Sequence, residues 1–209
     1  MWFDRHRLVY LDPARWEAIL AAHAALRAIP VVVDWVAAGH PLIVRRSICD
    51  DLAGLVPLGL PLPPSLGKQR LAVTVPADAI MSDALPPLLA DAVRSAPSVW
   101  FPTIDALIAF DPETRCFGSL AWAHLTDLPY LSEISDLDLV SQASTEDEAV
   151  RLAAALLRID AEAPMRLDGE IVTPTGLAVQ WREFASDTAE VLVKAADGNR
   201  MIARKELFA

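Results

Sequence analysis

In Ser135-Asp136-Leu137-Asp138-Leu139 acid and leucine alternate, and no other stretch limits the fold of this chain so tightly. Along a strand, side chains point to opposite faces in turn. Leu137 and Leu139 therefore enter a core, while Asp136 and Asp138 share the other face, about 7 Å apart along the backbone. Two carboxylates at that spacing converge on one or two hard cations, as phosphoryl and nucleotidyl transfer require. Upstream, Arg115-Cys116-Phe117-Gly118 predicts a short strand ending in a turn, and Ser119 to Leu125 a short helix. A strand that runs through Gly-Ser into a helix presents free backbone N–H groups at the positive end of the helix dipole, which favours an anion. Gly118 lets a phosphate approach the backbone, and the Ser119 hydroxyl caps the helix or binds a phosphate oxygen. Gly-Ser and Asp-x-Asp are each common alone. Their order and helix-length separation make the combination informative.

The chain has 209 residues, enough for one large domain or two small ones. At 54% hydrophobic residues it is a globular chain. A net charge of -10 argues against nucleic-acid binding, which calls for a basic face, but leaves room for a local basic pocket. Cys49 and Cys116 fit neither a disulfide framework nor a zinc site, and read as two buried reduced thiols of a cytoplasmic protein. Met1 to Arg7 has no apolar run after its charges, so no signal peptide is expected. Ala21 to Val44 is interrupted by Arg27, Pro30, Asp34, Gly39 and Pro41, which argues against a membrane span.

Helices are expected at Pro13 to Leu26, with Trp16, Ile19, Leu20 and His23 on one stripe, and at Val31 to Ala38, ended by Gly39. Leu42 to Arg46 and Gln69 to Val75 read as strands, separated by a Pro/Gly-rich loop from Val56 to Gly67. Pro76 to Pro87 reads as a boundary, giving an N-terminal α/β part over 1–80 and a second domain over 81–209. In the second, Pro87 to Ser95 and Pro102 to Phe110 are expected helices, and Asp136 to Ser141 a strand. Thr145 to Ile159 is an amphipathic helix with Thr145 as N-cap, Glu148 completing a capping box, and Val150, Leu152, Leu156 and Leu157 apolar. Two hairpins follow: Met165 to Val172 with Leu177 to Phe184 around Thr173-Pro174-Thr175-Gly176, and Val191 to Lys194 with Met201 to Ala203 around Asp197-Gly198.

The central pattern resembles the polymerase-β-type nucleotidyltransferase fold, an α+β domain with a mixed sheet flanked by helices. That resemblance implies a third acid on a later strand. Asp168 is preferred over Glu170, both on one face opposite Leu167 and Ile171, with Glu183 on the next strand a further candidate and a solvated strand edge the plain alternative. Reading outward narrows the resemblance. Arg5-His6-Arg7 through Pro13, Gly39 through Arg46, Leu58 through Pro64, Gly67-Lys68-Gln69-Arg70, Gly118 through Trp122, Asp136-Leu137-Asp138-Leu139, Arg166 through Glu170 and Trp181-Arg182-Glu183 occur in order along nearly the whole chain. Together they resemble the phosphoribosyl-dephospho-CoA transferases that serve malonate decarboxylase as its holo-acyl-carrier-protein synthase.

The resemblance implies a donor, 2'-(5''-triphosphoribosyl)-3'-dephospho-CoA, and an acceptor, a serine on the apo acyl-carrier subunit of malonate decarboxylase, with diphosphate released. It implies catalytic Asp136 and Asp138 holding Mg²⁺, as one ion or a pair, with Asp168 (or Glu170) as third ligand. Gly118 and Ser119 would cradle phosphates. Lys68, with Arg70 two residues on and on the same face, and Arg45 are the candidate donor-binding cations, Lys68 first because Gly67 permits a tight loop. Each cation has ordinary surface charge as its alternative. His124 and Arg5-His6-Arg7 are weaker candidates. Trp16, Trp35, Trp100, Trp122 and Trp181 read as core aromatics, Trp122 being the one placed to stack on adenine, and Tyr130 as closing a loop. Two other functions fit the same acids: a nucleotidyltransferase of this fold with another donor, such as AMP transfer, and a carrier-binding module without catalysis.

Overall fold

The computed structural model describes residues 6–46, 48, 51, 53–186, 188–195 and 198–209. Arg5, Cys49 and Asp197 lie outside the described residues. The chain is α+β and separates into two compact units, Met1–Pro86 and Pro87–Ala209, each with its own sheet.

The first unit comprises strand β1 (Leu8–Leu11), helices α1 (Pro13–Ala22), α2 (Ala24–Arg27) and α3 (Pro30–Asp34), and strands β2 (Leu42–Val44), β3 (Val56–Pro61), β4 (Arg70–Val75) and β5 (Ile80–Ala84). The sheet order is β4-β3-β2-β1-β5, with every pairing antiparallel. Asp12 starts α1 by accepting from the N–H groups of Ala14 and Arg15, and Pro13 needs no partner in the first turn. Trp16 and Leu20 are buried, as their spacing predicts. His23, expected on the same stripe, is exposed and non-helical (φ −123°, ψ 76°), so the helix ends there and α2 restarts after it. The indoles of Trp16 and Trp35 are buried and donate to Val32 O and Pro41 O, tying α1 to α3 and α3 to the entry of β2.

Two expectations for this unit are corrected. Val56–Pro61 is a strand, not part of a loop. Pro57 and Pro61 are four residues apart, so their missing N–H groups face the same side of the ribbon. The β4 ladder stays intact along all six residues of β3, and the short β2 pairs only Gly59 and Leu58. Ile80–Ala84, placed in a boundary region, pairs antiparallel with β1 and completes the first sheet. The units therefore divide at Pro86/Pro87 rather than after residue 80.

The second unit comprises α4 (Leu89–Ala92), α5 (Phe101–Phe110), β6 (Arg115–Phe117), α6 (Gly118–Thr126), β7 (Leu137–Gln142), α7 (Glu146–Asp160), β8 (Leu167–Val172), β9 (Ala178–Gln180), α8 (Trp181–Ala185), β10 (Glu190–Ala195) and β11 (Gly198–Ala203). The sheet order is β11-β10-β9-β8-β7-β6, and β7 and β8 form its parallel pair, joined through α7. Parallel neighbours need such a crossover. Thr145 Oγ1 accepts from Glu148 N–H at 3.2 Å, and Glu148 reaches back to Ser144 N–H at 2.7 Å, one residue earlier than the expected box closes. The buried stripe of α7 runs through Ala149, Leu152, Ala153 and Leu156. Val150 and Leu157, expected to be inside, are 44% and 48% exposed.

Both hairpins form: β8 pairs β9 and β10 pairs β11, each antiparallel. The strand expected to run through Phe184 stops at Gln180, however, and α8 follows. The Gln180 side chain caps this helix, accepting from Arg182 N–H at 2.6 Å and Glu183 N–H at 3.0 Å. Trp181 and Phe184, three apart, then bury on one helical side. One face of the sheet, with Leu137, Leu139, Leu167, Ile171, Val179 and Val193, shares a single core with buried residues of α4 to α8. Among the described residues no helix is long and apolar enough to cross a membrane.

Candidate active site

The polar face of the second sheet carries the acids. Leu137 and Leu139 are 0% and 2% exposed, whereas Asp138 between them is half-buried on the opposite face. Asp136 is half-buried and immediately precedes β7, whose first residue, Leu137, donates its N–H to Arg166 O. Asp138 is the register partner of Phe117 on β6 and of Asp168 on β8. The parallel pairing thus sets Asp138 and Asp168 side by side on neighbouring strands, although 30 positions separate them in sequence (168 − 138).

Two glycines make this possible. Gly118 has φ +64°, and a Cβ built on it would stand 1.8 Å from Asp138 Oδ2, so the Asp138 carboxylate occupies the space a side chain would need. This binds the Gly-Ser turn to the acid strand. Gly169 has φ +148°, and its Cβ would meet Leu139 O at 2.2 Å and Leu139 N at 2.9 Å. Only a residue without a side chain permits β8 to approach β7 so closely. Asp168 is fixed in turn: its Oδ1 accepts from Gly169 N–H at 2.8 Å and from Gln180 Nε2 at 3.0 Å.

Glu170 shares the face but has a different role. Its side chain is 4% exposed and accepts from Lys194 Nζ at 2.8 Å. The strand carrying Asp168 and Glu170 lies inside the sheet between β7 and β9, which overturns the alternative of a solvated edge. Glu183 sits on α8 rather than on a strand and accepts from Leu192 N–H at 2.7 Å. Ser119 is half-buried in the first turn of α6. Phe117, not Ser119, is the N-cap residue, and it makes no side-chain cap hydrogen bond.

Residues 88–205 match the family model described as phosphoribosyl-dephospho-CoA transferase MdcG C-terminal domain, and residues 4–86 match its N-terminal domain. This chain belongs to the phosphoribosyl-dephospho-CoA transferase family. A protein of that name from Bradyrhizobium diazoefficiens is 42% identical, over 92% of this chain and 87% of the relative. Others are 39% identical in Xanthomonas euvesicatoria (98% and 96%) and 32% identical in Klebsiella pneumoniae (95% and 93%). No solved structure matches. The chain is accordingly an enzyme of the transferase class.

The transferase's donor set suits Mg²⁺, which is commonly held by one or two carboxylates with substrate phosphates and water completing the shell. Asp138 and Asp168 offer such a pair. Among the described residues no three His, Cys, Asp or Glu side chains are gathered as a metal site, so the expected three-acid set of Asp136, Asp138 and Asp168 (or Glu170) does not form a cage. Cys116 sits beside the site on β6. Burial pushes its thiol up to about 12, with the charges of Asp138 and Asp91 adding to the rise, so it stays protonated and inert at neutral pH. As expected for this residue, Cys116 is a buried free thiol.

The remaining candidates have surroundings of their own. Trp122 is 5% exposed, with its ring centroid 6.1 Å from that of Tyr130, which leaves no open ring face for adenine. His124 lines an open surface pocket with Ala90, Asp91 and Arg94. In the first unit Arg7 is paired with Asp83. Arg45 donates to Asp51 at 2.8 and 2.5 Å, to Leu58 O and to Arg46 O, so a phosphate would have to displace these partners. Lys68 and Arg70 are exposed. Lys68 has φ +52° in the turn before β4, so strand alternation does not run through it, and the shared face expected for the two does not follow. Gly169, Gln180 and Lys194 were missed as site residues. A lone glycine between two strand acids was the one available signal, since it marks a close backbone approach.

Proposed function

We propose that this transferase moves the 2'-(5''-phosphoribosyl)-3'-dephospho-CoA group from its 5''-triphosphoribosyl precursor to a serine of the apo acyl-carrier subunit of malonate decarboxylase. The observation that carries the reading is the register pair Asp138–Asp168 beside the side-chain-free backbone of Gly118. The serine Oγ bonds to the phosphorus attached to the ribose 5'' oxygen. The bond from that phosphorus to the diphosphate breaks, diphosphate leaves, and the serine proton passes to a carboxylate of the pair. Asp138 and Asp168 are the residues that would hold Mg²⁺, with Asp136, just before β7, bearing on its water shell; when bound, the ion lowers the pKa of the serine hydroxyl and offsets charge on the leaving diphosphate. Gly118 and Ser119 open α6, whose N-cap residue, Phe117, makes no side-chain cap hydrogen bond, and the positive end of the helix dipole there suits a phosphate oxygen. Gly169 and Gln180 hold Asp168 in its orientation. Lys68 and Arg70 are proposed to contact donor phosphates, being exposed cations at a hairpin turn. Catalysis then rests on positioning and charge stabilisation, as phosphoryl transfer generally does.

The test is transfer to purified apo carrier, read as a mass gain on the carrier, with and without Mg²⁺. The expected result is a gain equal to the phosphoribosyl-dephospho-CoA group, present only with Mg²⁺. A mass gain from ATP, and none from the triphosphoribosyl donor, would replace this reading with AMP transfer.

A further inference from the structure

We propose that Lys194 is a phosphate-binding residue of this site, held in place by the buried Glu170, and that its ligand is the polyphosphate portion of the donor. The inference rests on the function proposed above. The pairings Asp138 with Asp168, Val140 with Glu170, Val172 with Ala178 and Ala178 with Lys194 put the two aspartates, Glu170 and Lys194 on one face. Ala178, directly between Lys194 and β8, is too short to block the lysine stem. Lys194 Nζ crosses β9 and reaches Glu170 Oε1 at 2.8 Å. A carboxylate only 4% exposed needs a cation, so the stem is anchored, while Lys194 keeps 29% of its side-chain surface accessible. An ammonium has three N–H donors, and one is used here. Glu170 is two residues from Asp168, so the anchored cation borders the acid pair. A polyanion approaching these acids on a chain of net charge -10 meets repulsion that a fixed cation offsets.

A lysine that only neutralises Glu170 would look the same in the free enzyme, and the experiment separates the two roles. Donor KM and kcat are measured for the wild type, Lys194→Met, Lys194→Arg and the double variant Glu170→Gln/Lys194→Met. Binding of inorganic diphosphate is measured by calorimetry, and Tm reports folding. The double variant leaves no orphaned buried charge, so it keeps the test open if Lys194→Met fails to fold. The expected result is a donor KM raised about tenfold in both Met-containing variants, with diphosphate binding weakened alike and Lys194→Arg restoring most of it. A double variant with wild-type donor KM and wild-type diphosphate binding overturns the proposal and leaves Lys194 as a counter-ion only. A wild type that transfers nothing from the triphosphoribosyl donor instead removes the function proposed above. Lys194 is then judged on diphosphate binding alone: loss in the double variant supports it, and no change overturns it.

Discussion

The two sheets of this chain are built differently, and the difference explains why the candidate acids come together on one of them. The first sheet is antiparallel throughout, and its close-spaced glycine is relaxed: a Cβ on Gly59 would meet Ile43 Cγ2 at 3.4 Å, an ordinary contact. The second contains a parallel pair, with Gly169 pressed so near the β7 backbone that a Cβ would lie 2.2 Å from Leu139 O. The crossover through α7 returns the chain in the same direction at the same height. Two acids distant in sequence then become neighbours. The charged pairs do not follow this division: in the first unit Arg15–Asp78 is 55% and 62% exposed but Arg45–Asp51 is shielded, as are Glu170–Lys194 and Asp160–Arg182 in the second.

The largest break in this contrast comes from the acids themselves. Asp136→Asn and Asp138→Asn should each lower transfer about a thousandfold, about 4 kcal/mol of activation free energy, with Tm held near wild type. Carrier mass gain and thermal unfolding measure the two quantities, and near-normal transfer in both variants would sink the assignment. Next in size is the paired glycine test. Gly169→Ala should cost about 3 kcal/mol, because the clash is with backbone that no rotamer change relieves, while Gly59→Ala should stay within about 1 kcal/mol. Urea unfolding of both variants checks this, and equal losses would show that the close approach of β8 carries no special cost.

A smaller effect separates the ion pairs. Burial raises the Asp160 pKa, but hydrogen bonds from Arg182 and Leu167 N–H and the charges of Arg182 and Arg166 outweigh it, so the net shift is downward. A depressed carboxyl stabilises the fold above its unfolded pKa, near 4, and that stabilisation is lost as pH falls through the lower folded value. Asp160→Asn should therefore cost about 2 kcal/mol at pH 7, and the gap to wild type should narrow below about pH 4. Asp78→Asn should cost well under about 1 kcal/mol at any pH, because its pair is solvated. The smallest effect belongs to the first unit: Lys68→Glu should raise the donor KM about fivefold, roughly 1 kcal/mol, without lowering Tm. Unchanged donor kinetics would remove Lys68 from the donor site.

Much of the second unit was legible because its signals are local. Thr145 and Glu148 mark the start of α7, Thr173 to Gly176 marks a hairpin, and the alternation at Asp136 to Leu139 marks a strand with a buried and a polar face. Local signals failed where a residue's role was set by a distant neighbour. Pro57 and Pro61 read as loop, yet they fit a strand whose second neighbour is short. Trp181-Arg182-Glu183 read as strand until the Gln180 side chain turned inward to cap a helix. Ile80–Ala84 read as a boundary because nothing within it reveals that β1 lacks a partner on that side.

By itself the sequence determined that Asp136 and Asp138 stand apart from a leucine face, and that a Gly-Ser turn opens the preceding helix. Both follow from backbone periodicity and the conformational freedom of glycine, which act over a few residues. Only the tertiary structure decided which later acid stands beside Asp138. Asp168 and Glu170 share a strand face, and nothing local separates them. The parallel register sets Asp168 against Asp138, while Lys194, reaching across β9, commits Glu170 to an ion pair. Strand pairing is a long-range contact, and no short stretch of sequence encodes its partner.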